Sequence, residues 1–242
     1  MGEVVKTGYS TLISILLMLF SCLASASQVI KVDDTHSYNL THQVEYLLDN
    51  DFTLDIHSAP ASQQWQNIAK DNINFGFINS ALWLRFKIQT KQANHYILNI
   101  PYPLLDYIDH YSFIDGIMQP TIYTGDNRDF NSRAIDHNNF TFPYTLAADQ
   151  VLNVYLRINT QGANEVPLWF SSKDTYINEN DDNIFIRGWG SGIIWLILFY
   201  NLFIYLAIRD RVYAFYVLNA FALLTTSYAF DGSLFKFLWC IL

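Results

Sequence analysis

Cysteine is nearly absent from this 242-residue chain, which has only Cys22 and Cys240. Neither lies between residues 28 and 187, so that region has no disulfide framework and no cysteine-based zinc site. Positive charge is scarce as well. Fourteen Lys and Arg stand against 22 Asp and Glu, a net charge of −8. That balance argues against a nucleic-acid partner, because phosphate binding needs basic patches. Catalytic signatures are missing: there is no G-x-S-x-G, H-E-x-x-H, P-loop or dinucleotide fingerprint. The histidines at 36, 42, 57, 95, 110 and 137 are scattered. Asp106 and Asp109 flank Tyr107-Ile108 and precede His110, but a spacing of three puts the two carboxylates on opposite faces of a strand. They read as turn and surface residues. Asp49, Asp51 and Asp55 loosely match a calcium loop, yet the sixth-position Gly is missing and Pro60 stands where the bidentate Glu belongs. No catalytic residue, metal site or cofactor is expected.

Charge is also missing from two long apolar runs, and the chain is organised around them. Gly188–Ile208 has 21 uncharged residues between Arg187 and Arg209-Asp210-Arg211. As a helix it extends about 31 Å, the hydrocarbon thickness of a bilayer. Val212–Phe230 is a second uncharged run, of 19 residues. The two arginines between the runs place that connection in the cytoplasm by the positive-inside rule. Gly188 and Gly192 form a G-x-x-x-G pair that admits a neighbouring backbone. Asn201 and Asn219 are polar groups at membrane depth and should find partners on neighbouring helices. A hairpin alone offers few partners, so the chain reads as the N-terminal piece of a larger membrane protein. Residues 231–242 are expected as an outer loop.

The N-terminus agrees with this topology. Lys6, the apolar run Leu12–Phe20 and Ala24-Ser25-Ala26 form a secretory signal over residues 1–27. An uncleaved anchor and a lipoprotein signal at Cys22 are the alternatives. In every case residues 28–187 are exported.

The exported stretch is made of short alternating runs broken by Asn, Asp, Gly and Pro, the pattern of an all-β sandwich. Ala81–Ile88 puts Leu82, Leu84, Phe86 and Ile88 on one face and Trp83, Arg85 and Lys87 on the other. Val151–Ile158 does the same with Leu152, Val154, Leu156 and Ile158. Further strands are predicted at Tyr96–Ile100, Tyr107–Ile114, Pro120–Tyr123, Asn139–Tyr144 and Val166–Ser171, and Asp115-Gly116 is a hairpin dipeptide. A short helix or turn over His42–Leu48 and a strand near Asp51–Ile56 open the domain. The sandwich is expected over 28–178, with 179–187 as an acidic linker to membrane helices at 188–208 and 212–230. Trp83 with Arg85 and Tyr155 with Arg157 each put an aromatic and an Arg two residues apart on the outer face. Such pairs can stack and donate forked hydrogen bonds to a ligand. They can equally be arginine stems covering aromatics.

Taken in order, the residues resemble a known family, the bacterial seven-transmembrane receptors with diverse intracellular signalling modules, with the type-2 extracellular domain. The resemblance covers about residues 40–240. It rests on Asn74-Phe75-Gly76, Ala81–Phe86, Ile100–Asp106 with Tyr111, Gly125-Asp126 and Arg133. Phe140–Pro143, Tyr155–Arg157 and Val166–Leu168 continue it. In the membrane part it rests on Tyr200–Phe203, Arg209–Arg211 and Tyr213–Tyr216. It implies a jelly-roll-like β-sandwich in the periplasm, similar to carbohydrate-binding modules, on a helical bundle in the bacterial inner membrane. It also implies seven membrane helices and a cytoplasmic output, such as a kinase or cyclase, lying beyond residue 242. The expected fold is therefore mainly β, a sandwich followed by a transmembrane hairpin. The expected role is ligand sensing, with a small molecule or carbohydrate as partner. The candidate ligand residues are Trp83, Arg85, Tyr155 and Arg157, then Tyr102, Asp106 and Arg133. The alternative is a periplasmic interaction or dimerisation module contacting a partner or a second copy of itself.

Overall fold

The computed structural model describes residues 29–69 and 71–239. The signal sequence expected over 1–27 lies outside the described residues. Among the described residues, twelve strands form two sheets. They are β1 (Val29–Val32), β2 (Tyr38–Asn39), β3 (Glu45–Asp49), β4 (Gln66–Asn67), β5 (Ala81–Thr90) and β6 (Asn94–Ile100). After them come β7 (Tyr107–Ile114), β8 (Ile117–Met118), β9 (Ile122–Thr124), β10 (Phe140–Leu146), β11 (Val151–Asn159) and β12 (Trp169–Ser172). The larger sheet has the order β4-β3-β5-β11-β7-β8, with β1 parallel to the end of β5 and β9 on β7. The smaller sheet has the order β10-β6-β12-β2. From β5 to β12 the chain repeatedly crosses from one sheet to the other, which makes the sandwich jelly-roll-like.

The alternation read from the sequence sets the register. Leu82, Leu84, Phe86 and Ile88 of β5 face inward beside Leu152, Val154, Leu156 and Ile158 of β11. Leu98, Phe142 and Phe170 of the smaller sheet meet them in one core. Each such side chain contributes about 1.5–3 kcal/mol on full burial. Asp115 and Gly116 both adopt positive φ, 49° and 83°, as a tight hairpin between β7 and β8 requires. The Asp115 carboxylate also accepts from the Val151 amide at 3.0 Å, tying the hairpin to β11.

Three stretches differ from the sequence reading. The strand expected near Asp51–Ile56 is a loop. Both oxygens of the Asp49 carboxylate accept backbone amides, from Thr53 at 3.1 Å and Leu54 at 3.0 Å, and Phe52 turns at φ 57°. This side-chain turn takes the amides a ladder would use. Upstream, β3 occupies most of the segment read as a short helix, with one 3₁₀ turn at Thr41–Gln43. The acidic linker of 179–187 is helical. Helix α1 runs unbroken over Lys173–Ile208, 36 residues. Ser172 caps it by accepting from the Thr175 amide at 3.2 Å, and Asp174 lies in the first turn, where a negative charge suits the helix dipole. Once nucleated there, the helix propagates through residues that favour loops only weakly.

Arg209 ends α1 in the left-handed conformation, and Asp210 caps α2 (Arg211–Phe230) by accepting from the Val212 amide at 2.9 Å. α1 and α2 are each long and apolar enough to cross a membrane. They pack through Leu198, Ala220 and Leu224, and Trp195 donates to the Tyr228 hydroxyl at 3.4 Å. Asn201 donates to the carbonyl of Ile197 in its own helix at 2.8 Å, not to a neighbouring helix. Asn219 is exposed. Gly188 and Gly192 face open space: a Cβ at either would meet nothing within 4 Å. The outer loop expected at 231–242 contains a helix, α3 (Ser233–Trp239), docked on the sandwich. Lys236 pairs with Asp136 at 2.8 Å, Asn138 donates to the Ser233 hydroxyl at 2.7 Å, and Phe235 meets Phe130 with centroids 5.9 Å apart.

Candidate ligand site

The outer face of the larger sheet carries two side-chain rows. Glu45, Arg85, Tyr155 and Tyr111 are aligned across β3, β5, β11 and β7. Leu47, Trp83, Arg157, Asp109 and Tyr123 form the next row, ending on β9. The loop after β3 folds back over this face. Trp65 is fixed there by donating to the Ala59 carbonyl at 2.9 Å.

The loop changes what the predicted residues can do. Trp83 is fully buried in a small outer core with Leu47, Ala59 and Tyr111, stacked on Tyr111 at 6.0 Å. It is a packing residue and is closed to ligands. Arg85 is paired with Glu45 at 2.7 Å, and both side chains are largely covered. Its guanidinium sits 4.4 Å from the Trp65 ring centroid, so the aromatic it stacks on is Trp65, not Trp83. Arg157 lies 3.4 Å from Asp109, which is also held by Arg128 at 2.7 Å. Asp109 and His110 were read as surface residues, and both are buried. Asp109 faces the two arginines, while His110 points the other way into the core. Burial drives the His110 pKa down to about 3.

Tyr155 alone of the first four remains half-buried beside a cavity. Its ring meets Trp65 edge-on at 6.3 Å and Phe113 at 5.9 Å. Next to it lies a groove of about 400 Å³ between the 56–60 loop and the β7–β8 hairpin. His57, Asn153, Phe113 and Met118 complete its walls. Phe113 and Asn153 are outward positions of predicted strands. His57 comes from a loop, where no periodicity could signal it.

Tyr102, Asp106 and Arg133 lie apart from this groove, at the end of the sandwich where loops converge. The Asp106 carboxylate accepts from the Gln161 amide at 2.7 Å. Burial and the neighbouring Asp106 push Asp126 up to about 6. Burial also raises the Tyr102 pKa. Arg133 is buried, donates to the carbonyls of His137 and Asn138, and lies 4.6 and 4.4 Å from the rings of Phe130 and Phe140. It holds the 133–138 loop against α3. Among the described residues no three His, Cys, Asp or Glu side chains cluster to hold a metal.

A β-sandwich joined directly to helices long and apolar enough to span a bilayer is the architecture of a membrane-anchored exported domain. The chain belongs to the 7TMR-DISM family. Its model for "7TMR-DISM extracellular 2" matches residues 41–172, more than half of the chain. A second model, "7TM diverse intracellular signalling", matches residues 183–241. A search of curated proteins finds no match. Among solved structures, the chain is similar to a family 35 carbohydrate-binding module from Clostridium thermocellum. That match has 8% identity and a TM-score of 0.29, and covers 56% of this chain and 95% of the module. A CBM35 from Cellvibrio japonicus Abf62 shows 15% identity and a TM-score of 0.26, with 56% and 91% covered. A β-glucosidase from Kluyveromyces marxianus in complex with glucose shows 10% identity and a TM-score of 0.32. There the match covers 53% of this chain and 16% of the glucosidase. Scores this low describe a loose likeness and carry nothing about ligands.

Proposed function

We propose that this chain is the ligand-sensing N-terminal part of a bacterial signalling receptor. In this reading the sandwich lies in the periplasm, α1 and α2 cross the inner membrane, and Arg209–Arg211 faces the cytoplasm. The ligand is a small carbohydrate-like molecule held in the groove beside Tyr155. The observation that carries the reading is the groove itself. Its volume of about 400 Å³ lies in the range of small-molecule sites. It combines two aromatic rings, Tyr155 and Phe113, with two hydrogen-bonding side chains, His57 and Asn153. An aromatic face takes the apolar side of a sugar ring, and convergent polar groups take its hydroxyls. The test is a glycan array followed by calorimetry on the full chain in nanodiscs. A ligand should be found whose affinity falls about tenfold or more in Tyr155→Ala, the loss of one good contact. If no glycan binds, or if Tyr155→Ala and Asn153→Ala bind as the parent does, the groove is not the site.

One observation favours a protein-interaction module instead. Ile117 and Met118 at the hairpin edge are 70% and 44% exposed, and Tyr123 nearby is 53% exposed. Sedimentation separates the two readings. A dimer abolished by Ile117→Lys, with no glycan bound, supports the interaction reading.

A further inference from the structure

The opposite face of the sandwich holds a second pocket of different character. On the outer surface of the smaller sheet, Thr141 of β10, Asn99 of β6 and Trp169 of β12 stand side by side in register. α1 starts where β12 ends, and its first turns run back over this row. The Ser172 and Thr175 hydroxyls each donate to the Asp34 carbonyl at 3.1 Å. Further along, the Ser37 hydroxyl donates to Glu179 at 2.6 Å. Between sheet and helix lies a cavity of about 140 Å³. Asn99 and Trp169 form its floor, and Tyr176, Glu179, Asn180 and Arg187 its roof.

Two side chains that line this cavity carry a buried atom with no hydrogen-bond partner within the protein, Asn99 Oδ1 and Tyr176 OH, and Thr141 Oγ1 beside Asn99 in the sheet is a third. Each unpaired buried polar atom costs about 1–3 kcal/mol, and apolar replacements of the same shape avoid that cost. Asn99 and Tyr176 both line the cavity, where a bound molecule could pair with those atoms. The remaining wall chemistry is mixed. The lining includes one carboxylate, Glu179, and one guanidinium, Arg187, and Trp169, 36% exposed, supplies an aromatic plane. Balanced charge favours a neutral ligand over an ion. The volume equals about five water molecules at roughly 30 Å³ each, room for one six-membered ring and not for a chain.

We propose that this junction pocket binds a single neutral sugar ring, stacked on Trp169 and hydrogen-bonded by Asn99 and Tyr176. The site is separate from the groove beside Tyr155 and does not depend on it. It is built half from the sandwich and half from the helix that enters the membrane, so its occupant clamps the two together.

The experiment uses the full chain in nanodiscs and a panel of neutral monosaccharides, read by calorimetry and hydrogen-exchange mass spectrometry. At saturation, amides of residues 174–180 should exchange about tenfold more slowly, while those of 51–60 stay unchanged. Trp169→Ala should weaken binding about tenfold or more, and Trp169→Phe, which keeps an aromatic plane, should largely retain it. Tyr176→Phe removes an unpaired hydroxyl, so it should raise the Tm of the free chain and weaken the sugar several-fold. Tyr155→Ala should leave this binding intact. The proposal is overturned if no monosaccharide binds, if protection is confined to 51–60, or if Trp169→Ala binds as well as the parent. A junction that holds only water gives the first of these results.

Discussion

His110 should make the sandwich lose stability as the medium turns acidic. It lies on the inner face of β7, 1% exposed, with its ring stacked on Phe142 at 4.2 Å and Nε2 hydrogen-bonded to the Tyr144 hydroxyl. Burial holds its pKa at about 3, against 6.5 in an unfolded chain. The folded state therefore excludes a proton that the unfolded chain takes up below pH 6.5. The stability it contributes is complete above pH 6.5 and is lost as pH falls towards 3. One proton corresponds to about 1.36 kcal/mol per pH unit once the unfolded histidine is fully charged, so acidifying from pH 6.5 to 5.0 removes about 1.7 kcal/mol. Asp126 works against this trend. Burial and Asp106 push its pKa up to about 6, so its folded form keeps a proton that the unfolded form releases, and acid stabilises that site. The difference between the parent and His110→Leu cancels the Asp126 contribution. The assay is urea unfolding of the full chain in nanodiscs, followed by the strand signal in circular dichroism at several pH values. The parent should lose about 1.36 kcal/mol per pH unit more than His110→Leu between pH 6 and 4. Parallel curves for the two proteins would refute the reasoning, whatever their absolute stabilities.

Trp83→Ala should destabilise the sandwich by about 3–5 kcal/mol, the cost of a large cavity, and speed hydrogen exchange in the 51–65 loop that rests on it. Had Trp83 been a ligand contact, binding would change with little loss of Tm. Glu45→Gln breaks a covered ion pair and leaves Arg85 without its anion, so urea unfolding should show a loss of about 1–3 kcal/mol. Adding Arg85→Met to that variant should recover part of the loss. Gly125→Ala should unfold the loop end of the sandwich. A Cβ there would lie 2.0 Å from the Asp106 carbonyl oxygen, and φ is 146°, a region open almost only to glycine, so the Tm should fall by many degrees.

Much of the sandwich was legible because its signals are local. The two-residue period of Ala81–Ile88 and Val151–Ile158 specified which side chains enter the core, and Asp115-Gly116 marked a hairpin that the backbone forms. The candidate site was less legible because faces are local and covers are not. Alternation placed Trp83 on the outer face correctly, yet nothing in that strand reports that a loop 20 to 30 residues upstream folds over it. For the same reason Arg85 was matched with the nearest aromatic in sequence, while its partner in space is Trp65. Asp109 and His110 were misread because a charged or titratable residue is assumed to face water. Here Asp109 is covered by Arg128 and Arg157, and His110 is held neutral. The acidic stretch at 179–187 looked like a linker because its composition favours loops. The Ser172 cap that starts the helix sits seven residues before it. The row of Thr141, Asn99 and Trp169 could have been found, since each is an outward position of a predicted strand. Their adjacency depends on sheet order, which a single sequence does not print.

The unbroken course of α1 sets how this receptor can transmit. Thirty-six residues make a rod of about 54 Å, gripped at its start by Asp34 and Ser37 and ending at the Arg209 turn. With no flexible joint between sandwich and bilayer, movement of the domain is not absorbed on the way. A tilt of one degree about Ser172 displaces Ile208 by about 1 Å, and a turn about the rod's axis reorients every side chain in the span at once. The rod therefore gears small rearrangements at the sandwich into displacements at its far end of the size by which packed helices are known to switch.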